Sequence, residues 1–133
     1  MHATGDFEVT MTPEAQTPAQ GGGLPTSRIA IAKTFTGGLV GQASGTMLTA
    51  GVPAAGHAAA YVAVDQFHGT LDGRTGGFIL LHRGTVTRAG VSELSVTIAP
   101  DSGTGALAGI EGTLVIRQTG KQHHYDLSYS LPG

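Results

Sequence analysis

The sequence predicts an all-β protein, a single eight-stranded antiparallel β-barrel, and three observations support this prediction. Nearly every ordered stretch alternates apolar and polar residues with a period of two, which is the pattern of strands. Turn signals rich in glycine separate these stretches, and no helix of useful length is indicated. Closure into a barrel is the simplest way to remove the exposed edges of such a sheet.

The segment Tyr61–Gly84 carries the clearest hairpin signal in the chain. Asp72-Gly73 separates two alternating runs, and an Asp-Gly pair in that position is typical of a two-residue turn. This turn predicts the facing pairs Asp65–Leu80, Phe67–Phe78 and Ala63–His82. Asp65 and His82 then share one face and lie one diagonal step apart, roughly 7–8 Å between backbones.

The other strands follow from the same alternation. They are predicted over Ala3–Met11, Arg28–Thr36, Leu39–Leu48, Thr113–Arg117 and His123–Leu131, with a second hairpin over Thr85–Ile98 that breaks at Ala89-Gly90. A long loop is predicted over 12–26, because this stretch holds three prolines and a triple glycine. We interpret this loop either as a flexible connection without a function of its own or as a functional lid. Shorter loops are predicted over 49–56 and 100–112.

The composition narrows the class of protein. A chain of 133 residues suits one domain, here 1–133, and 40% hydrophobic with 12% charged residues argues against disorder. The absence of cysteine excludes disulfides and cysteine nucleophiles, and it fits a cytoplasmic location. The net charge is -2 and the basic residues are scattered, so we expect no nucleic-acid partner. No apolar run approaches the roughly 18 residues of a membrane span, and we expect no cofactor.

The aromatic residues predict which face of the sheet lines the lumen. In each strand that carries more than one aromatic residue, they share a face, and we assign that face to the interior. Val62, Val64, Ile79 and Leu81 then point outward. Because a monomer rarely exposes such an apolar patch, we expect a homo-oligomer. The alternative is that the inner and outer faces are exchanged.

Several motifs resemble those of a bacterial family of unknown function. The segments are Lys33–Gly37, Gly73–His82, Pro100–Gly112 and the His-x-Tyr-x-Leu-x-Tyr-x-Leu pattern of His123–Leu131. That family looks to be built on an allene-oxide-cyclase-like barrel, and the glycine spacing after Ser102 is also similar to allene oxide cyclases and dirigent proteins. The resemblance implies an oligomeric barrel with an apolar cavity and, in some bacterial barrels of this shape, natural-product cyclisation.

Asp65 and His82 are the candidate catalytic residues. Burial among aromatic side chains disfavours a charged carboxylate, so we expect the pKa of Asp65 to be raised toward neutral pH. The imidazole of His82 would share the proton. The alternative is a structural pair in which these groups satisfy each other or Lys33.

The candidate ligand-binding residues share the inward face. They are Lys33, Phe35, Tyr61, Phe67, Phe78, Leu80, His123, Tyr125 and Tyr129. Lys33 would neutralise Asp65, bind an anionic ligand or form a Schiff base. The hydroxyls of Tyr125 and Tyr129 would form hydrogen bonds either with a ligand or with other groups of the barrel. We predict no metal site, because His123 and His124 are adjacent on a strand and point to opposite faces.

Three functions fit these observations. The first is a cyclase or isomerase that holds an apolar small molecule in a reactive conformation, with acid/base help from Asp65 and His82. The second is a non-catalytic barrel that binds a hydrophobic ligand. The third is an oligomeric scaffold whose lumen is filled by its own side chains.

Overall fold

A computed structural model describes residues 1–52 and 54–133 and shows nine strands within these ranges. They are β1 (His2–Thr17), β2 (Thr26–Gly37), β3 (Leu39–Gly51), β4 (Ala59–Leu71), β5 (Arg74–Val86), β6 (Ser92–Ile98), β7 (Thr104–Gly105), β8 (Glu111–Thr119) and β9 (Gln122–Ser130). The described residues contain no helix.

Eight of these strands close into an antiparallel barrel. The neighbours run β4-β3-β2-β1-β9-β8-β6-β5, and pairing between β4 and β5 completes the ring. The two-residue strand β7 lies outside it, against Gly76 and Gly77 of β5. The predicted fold class, an eight-stranded antiparallel barrel, is confirmed.

The register of the β4–β5 hairpin is the one that the sequence predicts. Leu71 lies opposite Arg74, and the same register sets Asp65 opposite Leu80 and Ala63 opposite His82. Asp72 and Gly73 have φ of 48° and 84°. Positive φ at both central residues is the geometry of a type I′ turn, which matches the twist of the flanking strands.

The aromatic face points into the barrel, as predicted. Phe7, Phe35, Phe67 and Phe78 are buried, and successive ring centroids along this series lie 5.3, 5.7 and 5.0 Å apart. On the outer face, Val62, Val64 and Leu81 are exposed and Ile79 is half-buried. The outward patch therefore exists, and self-association through it stays a prediction.

The predicted loop over 12–26 is too long. β1 continues to Thr17 and β2 begins at Thr26, so the irregular stretch covers 18–25. Pro13 is accommodated because β1 pairs with β9 only as far as Phe7, which leaves its second half with a single neighbour. Proline lacks an N–H and is tolerated on such an edge, and a bulge follows between Pro13 and Ala15.

The other two predicted loops also differ from the structure. β3 extends through Gly51 into the stretch predicted as a loop over 49–56, and residue 53 of that stretch lies outside the described residues. The stretch 100–112 contains β7 and the first residues of β8. A loop prediction from glycine and proline alone therefore overestimates irregular structure where strands tolerate glycine.

The two ends of the barrel differ. The closed end carries the turns at Gly38 and Asp72-Gly73 and the connection 99–110, which contributes fully buried Leu107 and Ile110 to the core. The open end carries the connections 18–25, 87–91 and 120–121. There β1 to β5 extend beyond the shorter β8–β9 hairpin, so the wall of the barrel is incomplete.

Candidate functional site

Three ionisable side chains meet in the lumen between these two ends. Lys33 of β2, Asp65 of β4 and His82 of β5 all occupy inward positions of the alternating pattern. Lys33 Nζ lies 2.6 Å and His82 Nε2 lies 3.0 Å from the same oxygen, Asp65 Oδ2. The two nitrogens are 3.4 Å apart. We refer to Lys33, Asp65 and His82 as the ionic cluster.

The ionic cluster is removed from solvent. Asp65 is 0% exposed, His82 5% and Lys33 8%. Lys33 Nζ also lies 5.4 Å from the ring centroid of Phe7, a distance at which the ring face attracts a cation. A buried charge of this kind requires close partners, and the cluster supplies them to Lys33 and to one oxygen of Asp65.

The partners of Asp65 decide its charge. Burial alone would raise the pKa of this carboxyl, but the hydrogen bond from His82 and the charge and hydrogen bond of Lys33 outweigh it. The pKa of Asp65 is therefore held below its ordinary value. The predicted shift toward neutral pH is wrong in direction, because Lys33 and His82 both reach the carboxylate. Asp65 is an ionised anchor at neutral pH.

One oxygen of the same carboxylate is left over. Asp65 Oδ1 is buried and has no hydrogen-bond partner among the described residues. An unsatisfied buried acceptor costs roughly 1–3 kcal/mol, and more when it is charged. This oxygen therefore retains the capacity to accept one further hydrogen bond.

Toward the open end, the interior becomes apolar and accessible. Ile31, Met47 and Ala63 form a small buried group, against which Ile29 and Tyr61 pack. Beyond it, Met11 and Leu94 hold inward positions of their strands but are 55% and 46% exposed. Met11 lies opposite Ile31, and Leu94 lies opposite Gly84, so these two side chains continue the apolar group out to solvent at the open end. We call these seven side chains the open-end surface.

Tyr61 connects the open-end surface to the cluster. Its ring lies against Gly84 of β5, where a Cβ atom would stand 2.3 Å from Tyr61 Cε1, so only glycine leaves room for it. Burial, with a contribution from the negative charge of Asp65, raises the pKa of Tyr61. The hydroxyl is therefore a neutral hydrogen-bond donor at physiological pH.

Most of the other predicted ligand-binding residues lie on the closed side. Phe35, Phe67, Phe78 and Leu80 pack together in the main core. The sequence assigned them to the inward face correctly, and the structure uses them to fill the interior beneath the ionic cluster. Their binding role stays a prediction.

The hydroxyls of Tyr125 and Tyr129 form hydrogen bonds with other parts of the barrel. The Tyr125 hydroxyl donates to the Thr36 carbonyl at 2.7 Å and accepts from the Leu39 N–H at 2.8 Å. The Tyr129 hydroxyl donates to the Asp72 carboxylate in the β4–β5 turn. Both phenols thus connect β9 to turns at the closed end. Of the two roles that the sequence allowed, a hydrogen bond to a ligand or to the barrel itself, the structure shows the second.

His123 and His124 lie on opposite faces, as expected for neighbours in a strand. The His123 ring stacks on Phe7 inside the barrel with centroids 5.1 Å apart. The His124 ring pairs with Asp6 on the outer face. No group of three or more potential metal ligands occurs among the described residues.

Sequence reasoning missed Met11 and Leu94 as parts of the site, and it missed Phe7 as the ring beneath Lys33. The signal was available, since all three hold inward positions of the alternating pattern. The alternating pattern does not predict how far the β8–β9 hairpin extends alongside β1. The exposure of Met11 and Leu94 depends on that length.

Three grooves mark the outer surface, with volumes of about 590, 740 and 310 Å³. Outward-facing positions supply most of their walls, for example Leu48 and Val62 in the first and Gln66 and His68 in the second. Asp65 and His82 line none of the three, whereas Lys33 contributes to the wall of the second.

Comparison with known proteins identifies the family. The model of the DUF3224 family, described as a protein of unknown function, matches residues 3–129. The chain belongs to the DUF3224 family. A crystal structure of a DUF3224 protein of unknown function from Shewanella oneidensis MR-1 is 38% identical, with a TM-score of 0.90, over 100% of this chain and 98% of that one.

Membership of this family agrees with the barrel fold and assigns no activity. No curated protein matches the chain. This DUF3224 protein is a barrel of unknown function, and its likeness to allene oxide cyclases stays a prediction. No helix in the described part of the chain is long and apolar enough to cross a membrane.

Proposed function

We propose that this DUF3224 protein binds an apolar small molecule in the open end of its barrel. The observation that carries the proposal is the exposure of Met11 and Leu94, two apolar side chains at inward positions. Burying such a surface under an apolar ligand is favourable by about 25 cal/mol per Å². A pocket with apolar walls and a few polar groups at its floor is the usual form of a small-molecule site.

The ionic cluster would orient the ligand. Asp65 Oδ1 lacks a partner among the described residues and accepts a hydrogen bond from a ligand hydroxyl or amide. The Tyr61 hydroxyl would donate to a ligand carbonyl. The ligand class that fits is therefore an apolar molecule with one or two uncharged polar groups at one end.

The binding proposal can be tested with the fluorescent probe N-phenyl-1-naphthylamine. Leu94→Gln changes an inward side chain, and Val115→Gln changes an outward one of similar exposure, 46% against 51%. We expect Leu94→Gln to weaken probe binding roughly fivefold, the equivalent of about 1 kcal/mol of apolar contact, and Val115→Gln to leave it unchanged. Equal affinities in both variants would place the probe elsewhere.

We propose acid/base isomerisation or cyclisation as the second candidate function. The observation that favours it is the contact of one carboxylate oxygen with both an ammonium and an imidazole, at 2.6 and 3.0 Å. Such a group can hold a proton on His82 and stabilise negative charge that develops on a substrate. The resemblance to allene oxide cyclases supports this candidate by analogy of fold alone.

The catalytic candidate predicts proton exchange on a simple apolar ketone. In D₂O, the protein should speed the exchange of the α-hydrogens of 2-decanone, observed by NMR. His82→Gln removes the imidazole but keeps a polar side chain, and we expect it to abolish the acceleration. His124→Gln, on the outer face, is the matched control and should retain it. Equal exchange with His82→Gln and the unaltered protein would rule out His82 as the acid/base group.

A further inference from the structure

The seam between β6 and β8 is paired along only part of its length. The two strands meet at one registered pair, Thr97 and Thr113. The neighbouring seams are paired along the whole of β6, from Leu80–Ile98 to Val86–Ser92, and along the whole of β8 and β9, from Glu111–Ser130 to Thr119–Gln122. Toward the open end, β6 and β8 therefore each present an unpaired edge to the other.

The interior becomes accessible where this pairing stops. The inward residues next to the last pair, Val96 and Leu114, are 3% and 5% exposed. One step further toward the open end, Leu94 is 46% exposed and Ile116 is half-buried. Leu94 is thus uncovered on the inner side of the seam where the pairing stops, beside the rest of the open-end surface.

The two unpaired edges carry complementary side chains. Continuing the register of the one existing pair sets Leu94 opposite Ile116 on the inner face and Glu93 opposite Arg117 on the outer face. Glu93 and Arg117 form no ion pair with each other in the described chain. Apolar and opposite-charge pairs that face each other stabilise adjoining antiparallel strands. The sequence is thus suited to a closed seam that this structure does not show.

We propose that the β6–β8 seam is a gate through which an apolar ligand reaches the lumen, and that it closes over the ligand in this register. The gate rests on the proposed binding function, because it gives that ligand its route. Closure covers Leu94 and the ligand together, so a bound apolar molecule favours the closed form over the open one. Leu94 with Ile116 and Glu93 with Arg117 are the pairs that form on closing.

Disulfide trapping tests the gate, since the natural chain has no cysteine. Ser95 and Val115 face each other in the closed register, so Ser95→Cys/Val115→Cys should crosslink when the seam closes. Ser95→Cys/Arg83→Cys joins two residues that are already paired across β5 and β6, and it gives the crosslinking rate between two strands that stay together. Ser95→Cys/Arg117→Cys lies out of register on the same face and measures random collision.

The gate predicts an ordered set of rates. The in-register pair should crosslink about tenfold faster than the out-of-register pair, and N-phenyl-1-naphthylamine should accelerate it further. The crosslinked protein should release the bound probe about tenfold more slowly than its reduced form. Equal rates for the two pairs would overturn the gate, and so would unchanged release of the probe.

The failure of the gate and the failure of the proposed function give different results. Probe binding by the unaltered protein is measured before any oxidation. Rapid in-register crosslinking in a protein that binds no probe would support closure of the seam and contradict the binding function. Probe binding without in-register crosslinking would support the binding function and overturn the gate.

Discussion

The two ends of this barrel are built from the same alternating pattern but are covered differently. At the closed end, Leu71 and Leu127 are 0% exposed, and the connection 99–110 adds two more side chains to the core. At the open end, Met11 has the same inward position in its strand and is 55% exposed. The alternation determines which way a side chain points, and a covering segment determines whether it is buried.

The ionic cluster lies between these regions and depends on both. Core aromatic residues beneath it exclude water, which strengthens the contacts of Lys33 and His82 with Asp65. The open-end surface lies above it, and this is the surface at which we propose that an apolar ligand binds. If the closed end stabilises the fold and the open end binds the ligand, substitutions at the two ends should have different effects.

The largest effect is expected from Lys33→Met. This substitution keeps the length of the side chain but leaves the buried Asp65 carboxylate without its cation, and breaking a buried pair costs roughly 3–5 kcal/mol. Urea unfolding measures the loss. The double variant Lys33→Met/Asp65→Leu is the control, because removing both charges should recover much of the stability. A single variant as stable as the unaltered protein would mean that the contact contributes nothing.

The same contact should depend on pH in a defined direction. The pKa of Asp65 is lowered in the fold, so its contribution is present above the ordinary carboxyl pKa of about 3.9 and is lost as pH falls through the lowered value. The stability difference between the unaltered protein and Lys33→Met should therefore be full at pH 5 to 7 and shrink below about pH 4. A difference that grows on acidification would contradict the assigned direction of the shift.

Core truncation should separate the two ends. Leu127→Ala removes a fully buried side chain at the closed end and should cost about 2–5 kcal/mol. Leu94→Ala makes the same chemical change where the side chain is 46% exposed, and its cost should stay within about 0.5 kcal/mol. Unfolding midpoints in urea measure both. Similar losses in the two variants would show that the open end is part of the stabilising core.

A smaller effect is expected when the tyrosine hydroxyls are removed. Tyr129→Phe deletes the donor to Asp72 in the turn at the closed end and should cost about 1 kcal/mol. The Tyr61 hydroxyl has no hydrogen-bond partner among the described residues, so Tyr61→Phe should leave stability nearly unchanged. Thermal unfolding of the two variants gives the comparison. The reverse order would mean that Tyr61 supports the fold.

The sequence predicted the central hairpin and the inward position of the ionic cluster because both follow from local rules. An Asp-Gly turn fixes the register of the hairpin, and this register places the side chains of Asp65 and His82 on the same face of the sheet. The inward position of Lys33 followed in the same way from its own strand.

Features that depend on distant segments could not be predicted. The sequence around Pro13 does not reveal that β9 stops pairing at Phe7 and leaves an edge where proline is tolerated. The partners of Asp65 come from two other strands, β2 and β5, so the direction of its pKa shift required the relative positions of three strands. The single Thr97–Thr113 pair is likewise a property of how two remote strands diverge.

The most direct test of ligand binding at the open end uses the three methionines as reporters. Met11 and Met47 belong to the open-end surface, whereas Met1 bonds Tyr129 at the closed end through its backbone. Titration of ¹³C-methyl-methionine protein with N-phenyl-1-naphthylamine should shift the Met11 and Met47 signals and leave Met1 in place. Shifts at Met1 alone, or none during saturable binding, would contradict an open-end site.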